Sequence, residues 1–237
     1  FTFYTPTRII FGKDTHKDVG SIVSGYGAKK ILLHYGSGSI KKTGLYEQLL
    51  ESFRAASVSV VELGGVKPNP ELALVRKGVA LCKQEAVDLV LAVGGGSAID
   101  SAKLIAVASK HDDDPWAFSS KEKTPVAALP VGVVLTLAAS GSEMSASCVI
   151  SNEELQLKRG YNSEFNRPLF AICNPELTYT LPPYQSACGI VDILMHTAER
   201  YFAVGKDTVL TDRIGESLMR SVIEAAPVVM KDPRSYE

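Results

Sequence analysis

The sequence predicts an α/β fold, a parallel sheet followed by an all-helical segment. Three observations carry this. Short apolar runs alternate with helically spaced ones through residues 1–110. Two of those runs end in glycine clusters, at 36–38 and 94–96. After Leu181-Pro182-Pro183 the apolar spacing turns helical. Strand–helix alternation of this kind fits a parallel sheet covered on both faces, joined by right-handed crossovers.

Each element follows from its pattern. KKILLHYG (29–36) is a buried strand ending in Gly36. Residues 43–55 form a helix with Leu45, Leu49 and Phe53 on one face. The β-branched run SVSVVELGG (57–65) is a second strand, and residues 70–85 a second helix carrying Leu72, Val75, Val79 and Cys82. DLVLAVGGG (88–96) is a third strand, and residues 97–109 a third helix. PVAALPV (125–131) reads as a further buried strand, and the polar stretch 140–147 as a loop. CVIS, LQLKRGY and PLFAICN read as short antiparallel strands. Cys188, Val191, Met195, Ala198 and Phe202 then mark a helix over 184–204. A last helix is expected over 208–230, interrupted at Pro227. The domain boundary falls near Leu181, dividing the chain into 1–181 and 182–237.

Composition narrows the function. The 237 residues suffice for one to two domains and a sizeable core. With 25 Lys and Arg against 26 Asp and Glu, the net charge of −1 offers no basic footprint for nucleic acid. The most apolar stretch, Val126 to Ala139, is broken by Pro130 and Gly132 and is too short to cross a membrane. No basic start followed by an apolar run marks a signal peptide. The four cysteines, Cys82, Cys148, Cys173 and Cys188, form no CxxC pair and read as buried free thiols in a reducing, cytoplasmic setting.

Four motifs carry chemistry. In Gly94-Gly95-Gly96-Ser97-Ala98-Ile99-Asp100 the glycines close a strand and open a helix. The backbone can approach a ligand there, the helix end attracts phosphate, and Ser97 can cap the helix. A tight turn without a ligand has the same signature, and the spacing is neither G-x-G-x-x-G nor a P-loop. Gly36, Gly38 and Ser39 form a second turn at a strand end. In a parallel sheet both turns share the carboxyl edge, which suits a dinucleotide. Residues 34–39 hold no acid to repel a 2′-phosphate, so NADP is open beside NAD. Lys41 and Lys42 lie nearby as solvated or phosphate-facing residues. Thr136, Leu137 and Ser140 belong to a loop of small and hydroxyl residues that could line a nucleotide. Asp192 and His196, four apart, project from one helix face. They form either a surface pair or a site for Fe²⁺ or Zn²⁺.

Together these residues resemble the iron-containing (group III) alcohol dehydrogenase family, in its butanol dehydrogenase-like branch. The resemblance runs through Phe11-Gly12, YGSGSIKKTG (35–44), KPNP (67–70), GGGSAIDSAK (94–103), TLAASGSEM (136–144), NPELTYTLPP (174–183) and GIVDILMHTAERY (189–201). It implies a Rossmann-like nucleotide-binding domain followed by an all-helical domain, with NAD or NADP and one divalent metal in the cleft between them. It places Gly95, Gly96 and Ser97 at the pyrophosphate and Gly38 and Ser39 on the adenosine side. Asp100, Thr136, Leu137, Ser140 and Leu177 would surround the nicotinamide-bearing half. Asp192 and His196 become the catalytic residues, as the first two metal ligands.

The family's metal site uses one Asp and three His, the last two from later helices. The remaining histidines here, His16, His34 and His111, all come too early. The helical domain is therefore expected to be truncated. The implied reaction is hydride transfer between NAD(P) and a short primary alcohol or aldehyde. A glycerol dehydrogenase-like polyol oxidoreductase and a non-catalytic nucleotide-binding fragment remain alternatives. A homodimer, paired through strands at Thr2–Tyr4 and Ile9–Phe11, is also implied.

Overall fold

The computed structural model describes residues 4–205 and 208–236. Its main sheet is built from β1 (Arg8–Phe11), β2 (Lys30–Gly36), β3 (Ser59–Val66), β4 (Leu89–Gly94), β5 (Val131–Leu135) and β8 (Phe170–Cys173), in the order β1-β8-β5-β4-β2-β3. Every neighbouring pair is parallel. The helices are α1 (Val19–Gly25), α2 (Ser39–Lys42), α3 (Leu45–Ala55), α4 (Leu72–Gln84), α5 (Gly96–Ala108), α6 (Trp116–Ser119), α7 (Pro183–Tyr201) and α8 (Val209–Lys231). A separate antiparallel hairpin joins β6 (Ser147–Asn152) to β7 (Leu157–Asn162).

The central strands are apolar on both faces because helices cover both. Ile31, Leu33, Leu89, Leu91 and Val93 face α1 and α3, packing with Val19, Val23, Leu49 and Phe53. Leu32, Val90 and Ala92 face α4 and α5, packing with Leu72, Val75, Ile99 and Leu104. This two-sided burial explains why β2 and β4 read as continuous apolar runs.

Four expectations are corrected. The strand expected at 125–131 starts only at Val131; Pro125 and Pro130 cannot donate to a ladder, and Val126 is exposed. The segment PLFAICN is not antiparallel: β8 lies in the main sheet, parallel to both β1 and β5. Pro227 does not interrupt the last helix, which runs on to Lys231; so close to the C-terminal end it removes a bond where little helix remains to be held. Of the cysteines, Cys82 and Cys148 are buried, Cys173 is half-buried and Cys188 is exposed on α7. Strand β1 is an edge strand with Ile9 and Phe11 exposed, while Thr2 and Phe3 of the expected pairing segment lie outside the described residues. Among the described residues no helix is long and apolar enough to cross a membrane.

One titratable group is embedded in the sheet. His34 on β2 lies 2.8 Å from the Leu63 carbonyl through Nδ1 and 2.8 Å from Ser101 Oγ through Nε2. A neutral ring satisfies both, with Nδ1–H donating to the carbonyl and Nε2 accepting from the hydroxyl. Burial pulls its pKa down from 6.5 to about 4. The unfolded chain therefore binds the proton more readily, and stability falls as the pH drops from 6.5 towards 4. Between pH 7.5 and pH 5 this one group is expected to remove about 2 kcal/mol. Urea midpoints at the two pH values should show that loss, and His34→Gln should shrink it; an unchanged pH dependence in the variant would contradict the assignment.

Candidate functional site

Strands β2 and β4 are neighbours, yet α3 and α5 that follow them pack on opposite faces of the sheet. Their turns diverge at the carboxyl edge and leave a crevice, the arrangement at which ligands settle on open parallel sheets. Register brings the walls together: Gly36 pairs with Val66, and Gly94 with Leu135. A cavity of about 380 Å³ opens there, lined by Gly36, Ser39, Val66, Lys67, Pro68, residues 93–98, Thr136, Leu137, Leu181 and Gln185. Ser39, Thr136 and Leu181 also line a second cavity of about 370 Å³, so the two adjoin.

The glycine turn is shaped for close approach. Helix α5 begins at Gly96 with Gly95 as its N-cap, and no side chain caps it among the described residues. Ser97, expected as the cap, sits instead inside the first turn. The first backbone N–H groups of a helix have no partner within it, and its dipole favours an anion there. A Cβ on Gly96 would lie 2.6 Å from Ser140 Oγ, and one on Gly95 3.3 Å from Leu137 Cβ. The loop after β5 is thus pressed onto the turn, and Thr136 N–H donates to the Gly94 carbonyl at 3.1 Å.

Behind the turn lies a buried cation. Lys103 is fully buried, and its ammonium donates to Ser142 Oγ (2.9 Å), the Ser145 carbonyl (3.0 Å) and the Ser147 carbonyl (2.8 Å). Asp100 lies 4.0 Å from it and accepts from Ser142 Oγ (2.6 Å) and Val149 N–H (2.9 Å). Burial lowers the Lys103 pKa and raises that of Asp100, and their mutual attraction opposes both shifts. Asp100 lines neither cavity; its carboxylate holds the loop that carries Ser140.

The second cavity is lined by Ser39, Ile40, Thr43, Leu45, Leu177, His16, Gln48, Asn174 and others. Leu177, expected on the nicotinamide side, thus shares a cavity with Ser39, expected on the adenosine side. His16 bridges Gln48 Oε1 (2.6 Å) and Asn174 Nδ2 (3.0 Å). Gly38 lines neither cavity but forms the left-handed turn, at φ +121, that starts α2. Lys41 is engaged away from the cavities: its ammonium lies 3.5 Å from Glu62 and 4.3 Å from the centroid of the Tyr46 ring. Glu62 also accepts from Tyr35 and Tyr46. His111 accepts from Val126 N–H and packs edge-on against Phe118, so it too stands outside the crevice.

Helix α7 connects the crevice to the Asp–His pair. Gln185 lines the first cavity. Gly189 presses against the 138 carbonyl, which a Cβ would meet at 2.7 Å. Asp192 and His196 follow on the same helical stripe, with Asp192 Oδ1 3.7 Å from His196 Nε2. Both side chains are partly exposed, at 45% and 43%. Among the described residues no group of three or more His, Cys, Asp or Glu is placed to hold a metal. The pair offers one oxygen and one nitrogen donor, a partial set for a divalent ion.

Comparison with known proteins identifies the family. The model of the iron-containing alcohol dehydrogenases matches residues 6–175. The chain belongs to the iron-containing alcohol dehydrogenase family. It is 46% identical over 237 residues to the probable NADH-dependent butanol dehydrogenase 1 of Bacillus subtilis, covering all of this chain and 61% of that one. It is 38% identical to the NADPH-dependent aldehyde reductase YqhD of Escherichia coli, again covering all of this chain and 61% of that protein. The crystal structure of NADH-dependent butanol dehydrogenase A from Thermotoga maritima superposes with a TM-score of 0.95 at 36% identity, covering 100% of this chain and 59% of that chain. The chain therefore spans about 60% of the length of the curated relatives it matches.

Several lining residues of this family member carry no sequence-based expectation. Lys67, Gln185, Asn174, Gln48 and His16 belong to no recognised ligand spacing, although KPNP and NPEL flag two of them as part of motifs. Lys103 is likewise silent, because its partners lie 39 to 44 residues further on. Replacing it by Met would leave the 145 and 147 carbonyls without their donor and Asp100 without its cation. Loss of one member of a buried charged network costs about 3 kcal/mol. Lys103→Met should lower the stability by that order in urea titrations, and a loss below 1 kcal/mol would contradict its role.

Proposed function

We propose that the chain carries the dinucleotide-binding part of an NAD(P)-dependent, divalent-metal-dependent oxidoreductase that interconverts short primary alcohols and aldehydes by hydride transfer. The observation that carries this is the pair of adjoining cavities, one at the Gly94–Ser97 turn and one behind Ser39, with Ser39, Thr136 and Leu181 lining both. Gly95, Gly96 and Ser97 would hold the pyrophosphate with backbone N–H groups and a hydroxyl. Ile40, Leu45 and Leu177 supply apolar walls for the adenine, and Gly36, Ser39 and Asn174 supply polar contacts on that side. Thr136, Leu137 and Ser140 close the crevice over the pyrophosphate and turn the nicotinamide half towards α7. Asp100, through Ser142 and Val149, keeps that loop in place.

From Gln185 the α7 stripe reaches Asp192 about 10 Å along the helix axis. Asp192 and His196 would contribute two ligands to Fe²⁺ or Zn²⁺ beside the nicotinamide. When bound, the dinucleotide supplies the hydride chemistry and the ion supplies Lewis-acid polarisation of the substrate oxygen. Relatives are named as NADH-dependent and as NADPH-dependent, and the absence of an acid at 34–39 leaves this crevice open to both. The exposed outer edge of β1 supports a homodimer built by strand pairing.

Two outcomes test this. Gly96→Val should weaken NADH binding at least about tenfold in a fluorescence titration, because its side chain fills the space shared with Ser140; unchanged affinity would sink the pyrophosphate assignment. Asp192→Ala and His196→Ala should each lower retained iron or zinc and slow butanal reduction at least about tenfold, with NADH affinity kept within about twofold. Metal content equal to that of the parent protein would refute the ligand assignment.

A further inference from the structure

The crevice contains a charged group that the reading above does not use. Lys67 lies one residue beyond β3, directly after Val66, which pairs with Gly36. It lines the same cavity as the Gly94–Ser97 turn, and among the described residues it is the one charged side chain in that lining. No carboxylate borders this first cavity; Asp14 and Glu176 line the second one, beyond Ser39. A phosphate entering there meets the unpartnered N–H groups of a helix start, the hydroxyls of Ser39, Ser97 and Thr136, and a single ammonium.

Lys67 is held on a stiff base. Pro68 and Pro70 restrict the backbone on either side of Asn69, which is fixed in the left-handed region at φ 59. Lys158 donates to Asn69 Oδ1 at 2.7 Å, and Ser151 N–H donates to the Pro70 carbonyl at 2.9 Å. The side chain above this base is loose: it is 66% exposed, and its ammonium rests on Glu71 Oε1 at 2.8 Å. Glu71 is only 23% exposed, but the lysine end stands in solvent, where an ion pair is screened and its long side chain can exchange partners. Glu71 itself does not line the cavity.

We propose that Lys67 is a phosphate ligand for the dinucleotide, parked on Glu71 in the free chain and transferred to a cofactor phosphate on binding. The assignment rests on the dinucleotide reading of the crevice and adds a specific side chain to it. The phosphate is either the pyrophosphate common to both cofactors or the 2′-phosphate of NADPH. Glu71 acts as a competitor, so its removal helps binding while removal of Lys67 harms it. A purely structural role for the Lys67–Glu71 pair would make both substitutions act in the same direction.

The experiment is a fluorescence titration of the parent protein, Lys67→Met, Glu71→Gln and the double variant with NADH and with NADPH, at low and high salt. Lys67 is exposed, and thermal melts of each variant confirm folding. Lys67→Met should weaken binding about tenfold at low salt, the weight of one charge-assisted contact. Glu71→Gln should tighten binding about twofold, and the double variant should match Lys67→Met. The difference should narrow at high salt as the charges are screened. Equal losses for NADH and NADPH would assign Lys67 to the pyrophosphate; a loss for NADPH alone would assign it to the 2′-phosphate. Affinities within twofold of the parent for both cofactors, or weakening by Glu71→Gln as well, would overturn the proposal while leaving the dinucleotide reading intact. A parent protein that binds neither cofactor would overturn both.

Discussion

The structure depends on one constraint, that six strands run in the same direction. A parallel sheet gathers all its carboxyl ends on a single edge. The residues that follow those ends then converge however far apart they stand in sequence. Gly36, Val66, Gly94 and Leu135 reach that edge from four different strands. The reversal between β2 and β4 then opens the edge, because the helices that follow leave towards opposite faces. The crevice is thus a consequence of topology before any side chain is chosen.

Side chains then decide what the crevice can accept. Glycines at 95 and 96 let the 137–140 segment close onto the turn. That segment needs an anchor, because a polar loop of small residues has little apolar area to bury. Lys103 supplies it, directing its ammonium at the backbone of 145 and 147 and at Ser142, while Asp100 holds Ser142 and Val149. Taking this cation out of water is costly, and the cost is offset by the closely spaced acceptors around it. The result is a wall fixed in position beside the helix start, and fixed dipoles bind an anion without first having to reorganise.

Much of this is legible in the sequence, and the limits follow from range. The βα turn at 94–97 and the Asp192–His196 pair are local, set by a strand end and by helical spacing, so both can be read directly. The apolar runs of β2 and β4 announce a sheet covered on both faces. Misreadings occur where a distant partner decides. PLFAICN looks like part of a local hairpin but pairs with β1, and Thr7, just before that strand, donates to the Pro168 carbonyl across 161 residues. Lys103 looks like an ordinary helix lysine until the 142–147 loop folds over it. His16, Gln48 and Asn174 meet across 32 and 158 residues, and no spacing rule joins them. His34, between Leu63 and Ser101, is likewise a core residue only by virtue of the sheet.

The central claim is that the β2–β4 crevice holds a dinucleotide with its pyrophosphate on the Gly95–Ser97 turn. A crystal structure of the protein grown with NADH tests it most directly. Density for the pyrophosphate within hydrogen-bonding distance of the 96 and 97 backbone N–H groups, with the adenine between Ile40 and Leu177, is the expected result. NADH bound elsewhere on the molecule, with the glycine turn filled only by water, would contradict it.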